Sequence, residues 1–205
     1  MGSEDPVLAI DIGGTKIAAG VVEPGGRLAS WAQTETPRGL EAEQLWRTLD
    51  VLCTNLLAEQ RIAPHDGLAG VGCGCGGPVV WPVGRVSPLN IPAWRSFPLR
   101  ERLQERFGGI PVRLHNDAIC MAVGEHWRGA GRGRRNLLGM VVSIGGGLAQ
   151  AGPLLFEPLE EALRTHAGLD YARDVPVVAA TLGQSAGLIG AAALIFASDR
   201  YWAGD

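Results

Sequence analysis

The chain has 205 residues, with 18 basic and 21 acidic side chains and a net charge of −3. Such a charge offers no positive field to nucleic acid or to an anionic membrane surface, so we expect neither as a partner. With 46% hydrophobic and 19% charged residues the chain is able to form a packed core, which excludes wholesale disorder. No apolar run has the roughly 18 residues of a membrane span, and the N-terminus lacks a signal-peptide pattern.

The numbers of cysteines and lysines bear on disulfide formation and on which residues can supply an ammonium group to a site. Four cysteines, Cys53, Cys73, Cys75 and Cys120, do not indicate a disulfide framework in a chain of this length. We therefore expect a reducing, cytoplasmic location. Lys16 is the only lysine, so any site that needs an ammonium group has a single candidate.

The first part of the chain predicts a β-hairpin and then a helix. Val7–Ile12 is a continuous apolar run typical of a buried strand, and Ile17–Val22 resumes as a strand that ends at Pro24–Gly26. Glu41–Gln60 carries leucines at helical spacing, which predicts an amphipathic helix.

Strands and helices alternate in the rest of the chain, which favours an α/β fold. The predicted strands are Leu68–Cys75, Ile110–Leu114, Leu137–Val142 and Val175–Ala179. The predicted helices are Leu99–Phe107, a helix from Asn116 or Asp117 to about Trp127, Pro153–His166 and Ser185–Phe196. The predicted loops are Trp81–Pro98, rich in proline and aromatic residues, and Gly129–Arg135, rich in arginine.

The turn of the hairpin carries the first candidate site. Gly13 and Gly14 lack Cβ atoms, so their backbone N–H groups are able to approach an oxyanion closely. Thr15 adds a hydroxyl donor and Lys16 a positive charge, and Asp11 is a candidate ligand for magnesium, directly or through water. An ordinary Gly-Gly hairpin with polar flanks has the same pattern. The motif is not a Walker loop, because the chain has no G-x-x-x-x-G-K-[ST] sequence.

A second candidate lies where a predicted strand meets a predicted helix, in His115–Ala118. Asn116 and Asp117 are residue types preferred as helix N-caps, which is the simplest interpretation. The functional alternative is that Asp117 accepts a proton from a substrate hydroxyl, with the helix N-terminus favouring its charged form.

Two further glycine and cysteine motifs are less specific. Gly145, Gly146 and Gly147 precede a helix and are able to receive part of a nucleotide, although a simple strand-to-helix turn has the same pattern. Cys73 and Cys75 look like half of a zinc site, but no second pair of ligands follows them, so we expect no zinc.

Taken together, the order and spacing of these motifs resemble the ROK family of sugar kinases, its glucokinase-like members especially. The resemblance runs from Val7 to about Phe196, through the segments LAIDIGGTKIAAGVV, GVGCGCGGPV, SPLNIPAWRSFPL, LHNDAICMAVGEHWRGAGRGRRNLL, IGGGLAQAGPLLFEPLEEAL and LGQSAGLIGAAAL. It implies an actin-like, ribonuclease-H-type α/β fold with two lobes around a cleft. We expect the first lobe in residues 1–136 and an incomplete second lobe in residues 137–205.

The resemblance also implies a role for each matching residue. Asp11, Gly13, Gly14, Thr15 and Lys16 are similar to the first phosphate loop, which would lie near the ATP phosphates and magnesium. Gly76, Gly77, Asn90 and Asn116 are similar to sugar-binding positions, Asp117 to the general base, and Gly145 to Gly147 to the adenosine-side glycines.

The chain departs from the family pattern in two places. Cys75-Gly76-Gly77-Pro78 stands where the family has G-x-P-G-P, so one proline of the sugar loop is lost. Between Gly139 and Gly145 the chain lacks the family's second phosphate loop, its sugar-gripping glutamate and histidine, and its C-x-C-G-x-x-G-C zinc cluster. Either residues are missing from this sequence or the gene product carries a real deletion. An omission predicts a C–N distance in this stretch far above the roughly 1.33 Å of a peptide bond.

The resemblance implies an ATP- and magnesium-dependent hexose kinase. Its substrate would be glucose or a close relative such as N-acetylmannosamine or N-acetylglucosamine, phosphorylated at the primary hydroxyl. The resemblance also implies a homodimer. The alternative is a non-catalytic or degenerate ROK-type protein that binds sugars or regulates. A dinucleotide-binding domain is disfavoured, because no G-x-G-x-x-G follows the first strand.

Overall fold

The structure, a computed structural model, describes residues 4–139, 152–168 and 175–204. It divides into two compact units, one formed by Met1–Gly139 with Leu182–Asp205 and the other by Met140–Thr181. The C-terminal residues from Leu182 thus belong to the same unit as the first 139 residues. The division of the whole protein into lobes of 1–136 and 137–205 stays a prediction.

The first unit is built on a five-stranded sheet in the order β3-β2-β1-β4-β7. The strands β1, β2 and β3 pair antiparallel, whereas β4 pairs parallel with both β1 and β7. A separate pair, β5 with β6, forms a two-stranded ribbon. The strand bounds are β1 Val7–Ile12, β2 Lys16–Val22, β3 Leu28–Glu35, β4 Gly70–Cys75, β5 Val79–Val80, β6 Arg85–Val86 and β7 Val112–Asn116.

The helices of the described residues are α1 Ala42–Glu59, α2 Leu99–Arg106, α3 Asp117–Arg128, α4 Pro153–His166, α5 Ala186–Phe196 and α6 Ser198–Tyr201. The start of α1 is fixed by a capping box, in which the Glu41 backbone N–H donates to the Gln44 side chain at 3.0 Å. Its buried leucines, among them Leu45 and Leu49, form the amphipathic stripe that the sequence predicts. No helix in the described ranges is long and apolar enough to cross a membrane.

The central strand β1 is buried on both faces of the sheet. On one face Leu8, Ile10 and Ile12 of β1 join the leucines of α1 in the larger hydrophobic cluster. On the other face Val7 and Ala9 pack with residues of α5, including Leu188 and Ala191. Burial on both faces explains why β1 is apolar throughout rather than alternating.

Small residues let α5 lie directly on the sheet and on α3. A Cβ atom at Gly72 of β4 would overlap the backbone of Ala191, and one at Gly190 would overlap the carbonyl oxygen of Cys120 in α3. A Cβ at Gly124 of α3 would likewise overlap the carbonyl oxygen of Ala186. These three glycines set the position of α5, and α5 in turn borders the candidate site.

Most predicted elements are confirmed, with shifted ends. The hairpin of β1 and β2, the strand β4 and the helices α1 to α5 all lie where the sequence predicts them. The strand predicted at Ile110–Leu114 is β7, which begins and ends two residues later. Trp81–Pro98 is mainly loop, but it contains β6. The strand β3 was not predicted, because its sequence LASWAQTE has no continuous apolar run.

Two strand predictions are corrected. Val175–Ala179 forms no strand, and Val175 and Val178 are exposed. Within the described part of the chain this apolar run has no sheet partner to satisfy its backbone. Leu137, Leu138 and Gly139 are also not in a strand. The rest of the strand predicted at Leu137–Val142, and the stretch between Gly139 and Gly145, lie outside the described residues. The expected break there stays a prediction.

In the second unit α4 is the helix of the described residues, 152–168 and 175–181. Its bounds, Pro153–His166, are those predicted from the sequence, with proline in the first turn and Arg164 and His166 in the last. None of its residues is buried.

Candidate active site

The carboxyl ends of three strands bring the predicted site residues to one edge of the sheet. Asp11 of β1 lies opposite Gly74 of β4, and Gly74 lies opposite His115 of β7. Parallel strands end at the same edge, so the residues that follow them converge, and open α/β sheets bind ligands at this edge.

The phosphate-loop candidate is a tight turn held by a residue that we did not predict. The Gly13 N–H donates to the Lys16 carbonyl at 2.9 Å, which closes the turn. Thr36, a buried residue just after β3, donates from its hydroxyl to the Gly13 carbonyl at 2.7 Å. The Thr36 N–H donates to the Thr15 carbonyl at 3.0 Å. The turn is therefore fixed before any ligand arrives, which preorganises its N–H groups.

Asn90 lies against this turn. A Cβ atom at Gly14 would overlap the Cβ of Asn90, so the two backbones approach as closely as glycine permits. The Asn90 loop is anchored by buried Ile91 and Trp94, and the Trp94 indole N–H donates to the Ala42 carbonyl at 3.2 Å. The structure thus joins the predicted phosphate loop to a predicted sugar-binding residue.

Asn116 and Asp117 open α3, as predicted. Asn116 is the N-cap, and its side-chain oxygen accepts from the Ala118 N–H at 3.0 Å, while Asp117 Oδ1 accepts from the same N–H at 2.8 Å. The other carboxylate oxygen of Asp117 faces Gly76, whose added Cβ would lie 3.9 Å from it. A Cβ at Gly77 would lie 3.0 Å from Nδ2 of Asn116. These four residues therefore form one cluster, and the capping role does not use Oδ2 of Asp117.

Asp11 adjoins this cluster, and its surroundings disfavour its charged form. The pKa of Asp11 is raised from 3.8 to about 6. Burial is the larger cause and the negative charge of Asp117 is the second, while the positive charge of Lys16 acts in the opposite direction. A carboxylate whose negative charge is disfavoured by its surroundings is a hard oxygen donor of the kind that magnesium prefers. Asp11 therefore fits the magnesium role predicted for it. The described residues contain no cluster of three or more acidic, histidine or cysteine side chains that could hold a metal ion.

Three residues that sequence reasoning missed adjoin the site: Gln184 before α5, Gly187 in the first turn of α5 and Glu125 of α3. Lys16 Nζ donates to Oε1 of Gln184 at 2.8 Å. A Cβ at Gly187 would overlap the carboxylate of Asp11. Glu125, a buried acid in α3, accepts from the Leu182 N–H at 2.7 Å and the Ala130 N–H at 2.8 Å, which fixes the start of the segment before α5. Local spacing could not have revealed these contacts, because the partners are distant in the chain.

The cysteines are buried thiols. Burial is the main cause that raises the pKa of Cys53 to about 12 and the pKa values of Cys73, Cys75 and Cys120 well above their usual range. Zinc binds thiolates, which these environments disfavour. The absence of zinc at Cys73 and Cys75 stays a prediction.

The structure thus gathers Asp11, Gly13, Gly14, Thr15, Lys16, Gly76, Gly77, Asn90, Asn116 and Asp117 at one edge of the sheet. Gly145, Gly146 and Gly147, predicted for the adenosine side, lie outside the described residues.

His115 borders the site, and burial lowers its pKa. Its Nδ1 accepts a hydrogen bond from the Asn116 N–H at 2.9 Å.

Comparison with known proteins finds sugar kinases as relatives of this chain. A glucokinase from Streptomyces coelicolor is 35% identical over 143 residues, which cover 69% of this chain and 42% of the relative. An N-acetyl-D-glucosamine kinase from Shigella flexneri is 36% identical over 141 residues, covering 67% of this chain and 44% of the relative. The chain thus spans less than half the length of these curated relatives.

Among solved structures, a ROK family glucokinase from Streptomyces griseus, in complex with glucose and AMPPNP, aligns with a TM-score of 0.69. The alignment covers 93% of this chain and 99% of that one at 22% identity, so it supports the fold alone. The predicted actin-like sugar-kinase fold is confirmed. The sequence profile of the ROK family matches residues 7–147, the stretch that contains every site residue described above up to Asp117. The chain belongs to the ROK family.

Proposed function

We propose that this chain phosphorylates a hexose at its primary hydroxyl with ATP, and that Asp117 is the general base. The observation that carries the proposal is the meeting of two predicted motifs. The turn at Gly14 lies against Asn90, and the carboxylate of Asp117 lies beside both Gly76 and Asp11. A phosphoryl donor and a sugar hydroxyl need such adjacent sites.

In this mechanism Asp117 accepts the proton of the sugar hydroxyl through Oδ2, the oxygen that does not cap α3. The hydroxyl oxygen then bonds to the γ-phosphorus of ATP as the bond from that phosphorus to ADP breaks. Asn116 and the backbone of Gly76 and Gly77 orient the sugar beside it. Oδ1 is held by the Ala118 N–H at 2.8 Å, which fixes the carboxylate and so fixes the direction of proton transfer.

The donor phosphates would bind the turn formed by Gly13, Gly14 and Thr15, with Lys16 supplying positive charge. Asp11 would hold magnesium, which neutralises phosphate charge when bound. For the adenosine end we propose Gly145, Gly146 and Gly147. We also propose that the protein acts in the cytoplasm as a homodimer, with its two lobes divided near residue 136.

The sugar is a hexose or an N-acetylhexosamine, since the relatives are named glucokinase and N-acetyl-D-glucosamine kinase. The choice between them would be made by residues outside the described site, because Gly76, Gly77 and Asn90 present mainly backbone and one amide.

A non-catalytic, sugar-binding role is the second candidate. It is favoured by one departure of the sequence: between Gly139 and Gly145 the chain lacks the second phosphate loop of the family. Such a protein would keep sugar binding at Asn90 and Asn116 without turnover.

The test is sugar-dependent release of ADP by the 205-residue chain, with glucose, N-acetylglucosamine and N-acetylmannosamine. Asp117→Asn keeps a helix cap and should lower turnover by about 100-fold or more, the usual scale for a positioned base. Asp66→Asn, at an exposed turn, is the matched control and should leave turnover unchanged. Turnover of Asp117→Asn within a few-fold of wild type would reject Asp117 as the base. Sugar binding without turnover in the wild type would select the non-catalytic role.

A further inference from the structure

We propose that Gln184 is a positioning residue that holds the Lys16 ammonium at the phosphate turn. The inference rests on the proposed function and extends it to a segment to which no role has been given. Lys16 Nζ donates to Oε1 of Gln184 at 2.8 Å, and the two residues come from β2 and from the turn before α5. The C-terminal segment thereby becomes a wall of the phosphoryl-donor site.

The acceptor is held in place from both sides. On one side the Leu182 N–H is bound at 2.7 Å by the buried carboxylate of Glu125, and the Ser185 N–H closes a turn onto the Leu182 carbonyl at 3.0 Å. On the other side Gly187 packs against the carboxylate of Asp11 with no room for a Cβ atom. The backbone of Gln184 therefore has little freedom, so its amide oxygen is a preorganised acceptor.

The Lys16 ammonium needs such a hydrogen-bond acceptor if it is to stay in one position. A lysine side chain has four rotatable bonds, and an ammonium left to solvent samples many positions. Lys16 also lies close enough to Asp11 to oppose the rise of that carboxyl's pKa. Without Gln184 the ammonium would be free to turn toward Asp11 and away from the turn at Gly14. The contact with Gln184 holds the ammonium on the segment that precedes α5.

The chain offers an unusually direct probe, because Lys16 is its only lysine. Protein labelled with ¹⁵N-lysine gives one side-chain ammonium signal in an NMR spectrum, and that signal is sharp only when a hydrogen bond slows proton exchange. We compare wild type with Gln184→Ala, Gln184→Glu and Lys16→Met. The matched control is Gln104→Ala, at an exposed glutamine of α2. Each protein is also titrated with MgATP by calorimetry and unfolded by heat.

We expect Gln184→Ala to broaden or abolish the lysine signal and to weaken MgATP binding about three- to tenfold, as for the loss of one hydrogen bond of ordinary strength. Its melting temperature should match that of wild type, which a merely structural role would not allow. Gln184→Glu keeps an oxygen acceptor and should keep the signal. Gln104→Ala should change neither the signal nor the binding.

An unchanged lysine signal in Gln184→Ala would overturn the inference. So would a lost signal with unchanged MgATP affinity, provided that Lys16→Met weakens MgATP binding; in that case the proposed function survives. If Lys16→Met binds MgATP as wild type does, or if wild type does not bind it, the phosphate role of Lys16 fails and the inference fails with it. The calorimetry of Lys16→Met therefore distinguishes the two failures.

Discussion

Replacing Asp11 with asparagine should make the protein more stable while disabling its nucleotide site. Asp11 is a partly buried carboxylate beside Asp117, and this environment raises its pKa from 3.8 to about 6. Asparagine has nearly the same shape and no charge. The variant therefore removes the electrostatic cost and leaves the packing against Gly187 in place.

The magnitude follows from the pKa. A tenfold change in proton affinity corresponds to about 1.4 kcal/mol, so a rise from 3.8 to about 6 means that the charged carboxylate costs about 3 kcal/mol. Because the folded-state pKa is raised, wild type keeps its full stability below about pH 4 and loses about 3 kcal/mol as the pH rises to about 6. Asp11→Asn lacks this loss, so the difference between the proteins is near zero at pH 4 and largest above pH 6.

Urea unfolding in EDTA at intervals from pH 4 to pH 8 measures this difference. Asp66→Asn serves as the control, because Asp66 is exposed and should show no such pH-dependent gain. Stabilisation of Asp11→Asn by MgATP should be lost. The reasoning is refuted if Asp11→Asn is less stable than wild type at pH 8, or if its advantage is equally large at pH 4.

The remaining predictions concern glycines. Gly190→Ala would place a Cβ atom on the Cys120 carbonyl, so we expect the free energy of unfolding to fall by several kcal/mol, or the protein to fail to fold. Gly25→Ala, which has open space around it, is the control and should change the free energy of unfolding by less than about 1 kcal/mol. Urea unfolding measures both. Equal stability of the two variants would contradict the described packing of α5. Gly14→Val should displace Asn90 and abolish both MgATP and sugar stabilisation in thermal melts; a folded variant that keeps both would show that the two sites do not meet at this turn.

Local patterns were sufficient for the elements that are defined by neighbouring residues. The hairpin of β1 and β2 was predictable because an apolar run, two glycines and a second apolar run are all local signals. The cap at Asn116 was predictable for the same reason, since a cap is a contact between residues two apart. The helix α4 was predicted to the residue from its proline start and its apolar spacing.

Elements that depend on a distant partner were missed. The strand β3 alternates between half-buried and exposed residues, with Trp31 54% exposed, so its sequence gives only a weak strand pattern and it is defined by pairing with β2. Val175–Ala179 has the apolar character of a strand but no partner among the described residues. Within the site, Thr36 and Gln184 act through hydrogen bonds to residues far away in sequence, which no spacing rule encodes.

The position of α5 has a consequence for synthesis on the ribosome. By the time Asn116 emerges, every strand of the five-stranded sheet has been made, yet the face at Gly72 that α5 covers is still open. In a nascent chain the sheet face around Gly72 therefore stays exposed until residues 186–196, which form α5, leave the exit tunnel. During that interval the apolar face is available to chaperones or to a neighbouring nascent chain. A variant that slows translation between α3 and α5 would lengthen this exposure without altering a single contact of the finished protein.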